Sequence, residues 1–209
     1  MLTSKELQRR KKTIVKLIQL KGQERIEKKD LILIGYVQPE HELVFYQGNL
    51  MYKKRILIND SYYEFDVLIP NELMVDLPDD EEFYAELLCE NNFHTENNQM
   101  VYDIIVKYIH RDEPNNNCSV SNLSYINGHI SYLHEYNGKV DFLVEVSKRR
   151  NSLSKHAYIP CVFYNYEQLN FSVGRHIKLW GELIEREFLK EDQLVKILEV
   201  KAENVLILD

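Results

Sequence analysis

The chain has 209 residues, a formal net charge of −7, 44% hydrophobic residues and 28% charged ones. That is apolar content enough for one large domain or two small ones, while the negative total argues against bulk attraction to nucleic acid. No apolar run approaches the ~18 residues of a membrane-spanning helix, and this excludes a helical membrane protein.

Charge is spread unevenly. Lys5 to Lys29 is strongly basic, residues 30 to 113 are strongly acidic, and the remainder is nearly balanced. In the first segment, TSKELQRRKKTIVKLIQLKG carries a Ser/Thr cap signal with Glu6 behind it and Leu7, Ile14, Leu17 and Ile18 at helical intervals. This predicts a basic helix or arm over residues 1–29. It either docks by one apolar stripe and otherwise faces water, or touches phosphate or the acidic residues that follow.

From Asp30 the pattern changes to short alternating runs, LILIGYV, HELVFYQGN, LMYKKRILIND, YYEFDVLIP, FYAELLCEN and VYDIIVKYI, broken by turn residues such as Pro70-Asn71 and Pro78 to Asp80. About five strands fit here with no room for helical crossovers, so an antiparallel arrangement is predicted. One phase of YYEFDVLI exposes Tyr62, Glu64 and Asp66, whose carboxylates would repel phosphate; Lys53, Lys54 and Arg55 are the cations of the neighbouring run. The stretch DEPNNNCSVS, residues 112–121, is rich in turn formers and marks a domain boundary.

The second half repeats the order of the first. LSYINGHISYL, the Asn137-Gly138 turn, VDFLVEV, the basic loop KRRNSLSKH, YIPCVF, IKLWGELIEREF and LVKILEVKAENVLIL follow one another. Side chains alternate across a strand, so Ile159, Cys161 and Phe163 form a core face, and Tyr158, Val162 and Tyr164 with Pro160 form an opposite, partly exposed one. Gly181 allows a bend or a close backbone approach. Each half opens on a strand interrupted by glycine (Gly35, Gly128) and then turns at Gly48-Asn49 or Asn137-Gly138, which reads as an internal duplication.

Taken in order from Asn122, NLSYINGHI, VDFLVEV, YIPCVFYN, GRHIKLWGELIEREF and EVKAENVLIL resemble the five strands of bacterial single-stranded DNA-binding proteins and their primosomal PriB-like relatives. Residues 30–112 look like a more diverged copy. The resemblance implies an all-β chain of two tandem OB-folds, each a five-stranded Greek-key barrel, with a basic arm at 1–29, a linker at 113–121 and the better-matched barrel at 122–209. It implies that Tyr158, Tyr164 and Phe188 stack on bases, each stack worth ~1–3 kcal/mol. It further implies that Lys148, Arg149, Arg150 and Lys155, with His156, grip the phosphate backbone, and Arg186 is counted with them.

The alternative for Tyr158 and Phe188 is packing at a barrel rim or subunit interface, and for the basic loop an ordinary solvated surface; Trp180, before the glycine, is expected to pack. The expected partners are single-stranded DNA or RNA, a second copy in a homodimer, and a replication or primosome protein. The other function class is an OB-fold interaction scaffold without DNA binding. The family's glycine-rich tail with an acidic, hydrophobic tip does not follow NVLILD, so a specialised plasmid, phage or primosomal relative is expected rather than the housekeeping protein.

Nothing predicts an enzyme. The seven histidines form no HxxxH or HExxH group, and GxxxxGK[ST], GxGxxG and GxSxG are all missing. The acids from Asp79 to Glu82 read as a solvated turn rather than a metal site, and no cofactor is expected. Cys89, Cys118 and Cys161 have no CxxC spacing. With no secretory h-region at the start, they fit a reducing cytoplasm, with Cys161 in a core.

Overall fold

Along Lys139–Arg150, Val140, Phe142, Val144 and Val146 are buried while Asp141, Leu143, Glu145 and Ser147 between them retain access to solvent. β-branched and aromatic side chains on alternate positions make this a strand with one dry face. The computed structural model describes residues 29–208 except 59–62, 76, 79, 97–98, 112–120, 151–152, 165–169 and 191–192. For residues 93–96, 99–100, 148–150, 153–155, 189–190 and 193 it describes the backbone alone. The predicted arm, apart from Lys29, and the predicted linker, apart from Ser121, lie outside the described residues.

The described residues form ten strands: β1 (Lys29–Tyr46), β2 (Asn49–Ile58), β3 (Glu64–Pro70), β4 (Phe83–Glu96), β5 (Gln99–Arg111), β6 (Asn122–Tyr136), β7 (Lys139–Arg150), β8 (Leu153–Tyr164), β9 (His176–Lys190) and β10 (Gln193–Ile207). The single turn of helix α1 (Asn71–Met74) stands behind Pro70, where only a turn was predicted, and buries Met74. Proline fixes the φ needed to start a helix and lacks only a donor that would be unused there. Among the described residues no helix is long and apolar enough to cross a membrane.

In the second half β6 pairs with β7, β7 with β8, β8 with β10, β10 with β9, and β9 returns to β6, closing a five-stranded barrel. The β8–β10 pairing is parallel. β8 lies two reversals from β6 through β7, and β10 lies two reversals from it through β9, so the last seam must join strands of one direction. The first half closes in the corresponding order, β1-β2-β3-β5-β4 and back to β1, again with one parallel seam, β3–β5, which corrects the wholly antiparallel arrangement predicted for residues 30–112.

In each barrel the first strand divides its length between its two neighbours. β6 pairs with β9 from Ser124 to His129 and with β7 from His129 to Tyr136, so it bends sharply near Gly128. A Cβ there would lie 2.3 Å from the Glu145 carbonyl oxygen, and one on Gly35 of β1 would lie 1.9 Å from that of Leu57. Only glycine permits that approach. On β1 the ladder to β2 is interrupted in the same region: Val37 faces Ile56, and the next pair is His41 with Lys54.

The chain forms two compact units, one of Phe93–Tyr102 with Ser124–Asp209 and the other of the residues up to Asn92 with Asp103–Leu123. The core of the former is built from Ile126, Ile130, Phe142, Ile159, Leu179 and Leu183. Phe171, from the β8–β9 connection, closes on it with ring centroids 5.4 Å from Phe142 and 5.8 Å from Phe163. Burying each such side chain contributes ~1.5–3 kcal/mol, so this apolar interior holds the barrel while its outside is left for other use.

Candidate nucleic-acid interface

β7 runs down the middle of the outer face of the second barrel, and its register assigns every neighbour. Tyr136 and Tyr164 flank Lys139, His134 and Val162 flank Asp141, and Tyr132 and Pro160 flank Leu143. Further along, Glu145 faces Tyr158 and Ser147 faces His156. The face therefore carries two columns of rings, Tyr132 and Tyr136 on β6 and Tyr158 and Tyr164 on β8. All four are about half exposed, at 53%, 52%, 43% and 47%. Tyr158 and Tyr164 are six residues apart on one side of one strand, a span of ~20 Å at ~3.3 Å per residue. Val162 between them is fully buried, which corrects its expected place on an exposed surface.

Sequence reasoning missed the β6 column. Up to Ile130 the even-numbered residues of β6 point inward; Ile130 faces Val144, but Tyr132 faces Leu143, so Ser131 is an extra residue. A bulge of one residue reverses the sides of everything beyond it, and Tyr132, His134 and Tyr136 come out onto the β7 outer face. The Asn137-Gly138 turn that follows, with φ of 44° and 76°, holds the hairpin in register. Only that turn was readable beforehand.

Of the other predicted site residues, Arg186 and Phe188 lie on β9, with the guanidinium carbon 5.8 Å from the Phe188 ring centroid and Phe188 36% exposed. Arg186 is tied to this face: its Nη2 is 2.9 Å from the buried Glu199 carboxylate and its Nη1 3.7 Å from Asp141 Oδ2. Lys139 Nζ donates to both oxygens of Asp141, at 3.2 and 3.4 Å, and sits 5.2 Å from the Tyr136 ring centroid. Lys148, Arg149, Arg150 and Lys155 lie on strands rather than in a loop, paired Lys148 with Lys155, Arg149 with Ser154 and Arg150 with Leu153. The ladder continues there because no Pro or Gly interrupts it; the backbone of Lys155 is three residues beyond Tyr158, ~10 Å along β8.

A groove of about 570 Å³ runs over this face, lined among others by Tyr132, Asp141, Leu143, Pro160, Arg186 and Glu199. Burial pushes the Glu199 carboxyl above the usual carboxylate range; Arg186 opposes this, Asp141 adds to it and Lys139 opposes it. Beside the groove, Lys196 bridges Glu185 and Glu187, both at 2.8 Å, and these bonds hold its ammonium well above the usual lysine range. His156 Nδ1 lies 2.5 Å from Glu145 Oε1, next to Tyr158. Trp180 meets Tyr125 across the β6–β9 ladder at 5.4 Å and is a packing residue. Among the described residues, no cluster of His, Cys, Asp and Glu has the makings of a metal site.

The corresponding face of the first barrel differs. Glu64 and Asp66 are exposed as expected, with Tyr62 outside the described residues, and they take up its cations: Lys53 to Asp66 at 3.2 Å, Arg55 to Asp66 at 3.3 Å and to Glu64 at 3.4 Å. Lys54 turns inward and donates to the Pro39 carbonyl at 3.0 Å. Among the described residues, no pair of exposed tyrosine columns accompanies these charges.

No protein-family model matches the sequence, and no curated protein matches it. Solved structures do. The wild-type single-stranded DNA-binding protein from Thermus aquaticus aligns over 87% of this chain and 93% of its own, with 9% identity and a TM-score of 0.61. A deletion mutant of that protein, which also carries an arginine-to-alanine substitution, aligns over 86% and 93%, with 9% identity and a TM-score of 0.57. The N-terminal domain of PriB from Thermoanaerobacter tencongensis covers 42% of this chain and 96% of its own at 26% identity, with a TM-score of only 0.30. At 9% identity, the likeness to the Thermus protein is one of fold: the chain has an OB-type β-barrel architecture like that protein's.

Proposed function

We propose that the chain is a tandem OB-fold protein that binds single-stranded DNA on the outer face of its second barrel and works as a homodimer in replication, recombination or mobile-element maintenance. The observation that carries this reading is the pair of half-exposed tyrosine columns on either side of β7. Four rings on one face suit stacking on any base. Arg186 in the groove, Lys139 beside it against Asp141, and Lys148, Arg149, Arg150 and Lys155 at the far end of the β7–β8 hairpin supply the charge that a phosphate track needs. The duplicated strand order in the two halves and the fold shared with a protein that binds single-stranded DNA support it further. On this reading the first barrel, whose cations are taken up by Glu64 and Asp66, serves assembly or a replication or primosome partner.

A second reading, an OB-fold scaffold without DNA binding, is favoured by one specific observation: Asp141 and Glu145 sit on the same face as the tyrosines. Fluorescence anisotropy of a labelled oligo-dT across a salt series separates the two. Binding that weakens as salt rises and drops on Tyr158→Ala or Arg149→Glu supports the first, and no binding at low salt leaves the second. An oligo-U probe in the same assay reports the choice between DNA and RNA.

A further inference from the structure

We propose that Lys139 and Arg186 form a phosphate subsite of this groove, that the Asp141 carboxylate occupies it in the absence of nucleic acid, and that a phosphodiester displaces that carboxylate on binding. This rests on the nucleic-acid reading above and adds which phosphate contact is made and what it must displace. The two cations come from different strands, β7 and β9, and converge on one carboxylate: Lys139 Nζ at 3.2 and 3.4 Å, Arg186 Nη1 at 3.7 Å. An oxyanion held between an ammonium and a guanidinium has the charge and donor demands of a phosphate.

The two ends of the Arg186 head are unequal. Nη2 is fixed from the buried side by Glu199 at 2.9 Å, whereas Nη1 faces Asp141 beyond hydrogen-bonding distance and so keeps its donors in reserve. Glu199 thus acts as a positioning residue, aiming Nη1 into the groove. Rings surround the pair where bases attached to that phosphate would lie: Tyr136 and Tyr164 on either side of Lys139, and Phe188 against Arg186. Asp141 itself is about one quarter exposed, at 28%, so an incoming anion can compete for both cations.

The test is Asp141→Asn in the full chain, with oligo-dT anisotropy from low to moderate salt and a thermal melt of each variant. Releasing two partly exposed ion pairs predicts binding tighter by about fivefold to tenfold. It also predicts a steeper salt dependence, by up to ~0.7 in slope, because one phosphate is held and no freed carboxylate remains to take up a counterion. Asp141→Ser should give the same result. Adding Lys139→Gln and Arg186→Gln to Asp141→Asn should remove the gain. Unchanged or weaker binding by a normally folded Asp141→Asn overturns the proposal, as does a gain that persists without Lys139 and Arg186, since that would be a net-charge effect alone. If neither parent nor variant binds at low salt, the nucleic-acid reading falls and the subsite with it; parental binding without the predicted gain rejects the subsite alone.

Discussion

Truncating the two rings of β8 isolates the stacking claim from the electrostatic one. Tyr158 and Tyr164 are 43% and 47% exposed and lie outside the apolar core, so Tyr158→Ala and Tyr164→Ala should leave the barrel folded. Each lost stack should weaken oligo-dT binding by ~1–3 kcal/mol, about 5- to 150-fold in Kd. The rings are ~20 Å apart along one strand, too far for direct coupling, and the double variant should match the sum of the single ones within ~0.5 kcal/mol. Anisotropy titrations of the four proteins at several salt concentrations supply the cycle. Because a ring releases no counterion, the slope of log K against log salt should be the same in all four. An unchanged Kd in the double variant refutes the stacking face. A salt slope that flattens with each truncation would show that the tyrosines act by placing cations, not by stacking.

Three further outcomes follow from the barrel itself. Gly128→Ala sets a Cβ 2.3 Å from the Glu145 carbonyl oxygen and 2.9 Å from Val144 Cγ1. It should destabilise the protein by at least ~1–3 kcal/mol in urea unfolding, and an unshifted midpoint would mean that β6 does not need its close approach. Burial raises the Glu199 carboxyl above its unfolded value, so folding takes up a proton there; the contribution is most favourable below the unfolded carboxylate range and is lost as pH rises towards the folded value. The difference in Tm between Glu199→Gln and the parent should accordingly grow in favour of the variant from about pH 4 to about pH 7, and a constant difference would contradict the assignment. Cys89 and Cys161 are buried thiols whose pKa burial drives upward. Alkylation at about pH 8 followed by site-resolved mass spectrometry should leave both unmodified in native protein and modify both after denaturation; native modification of either would place it at the surface.

Much of the second barrel was legible because its strands alternate cleanly. VDFLVEV announced β7, YIPCVF placed Tyr158 and Tyr164 on one side, and Asn137-Gly138 marked the hairpin. Three things were hidden, each for a physical reason. The bulge at Ser131 leaves no mark in composition, yet it decides which face receives Tyr132 and Tyr136. The meeting of Arg186 with Asp141 and Glu199 joins residues distant in sequence, which no local pattern encodes. The parallel seam between β8 and β10 is a product of closure, not of either strand. The basic run SKRRNSLSK looked like a loop because it is polar, but polarity alone does not end a ladder, and β7 reaches Arg150 while β8 begins at Leu153.

The interruptions on β1 and β6 have opposite effects although they stand in corresponding hairpins. Between Val37 and His41 the first barrel spends two residues more than its partner strand, an even surplus, and Leu43 and Phe45 stay on the side that Val37 occupied. At Ser131 the surplus is one, and the hairpin beyond it is turned inside out. Were Ser131 instead paired with Leu143, leaving no surplus, Tyr132, His134 and Tyr136 would turn towards the interior and Leu133 and Glu135 would come to the front. What such a tip presents to its surroundings is thus set by whether a count is odd or even.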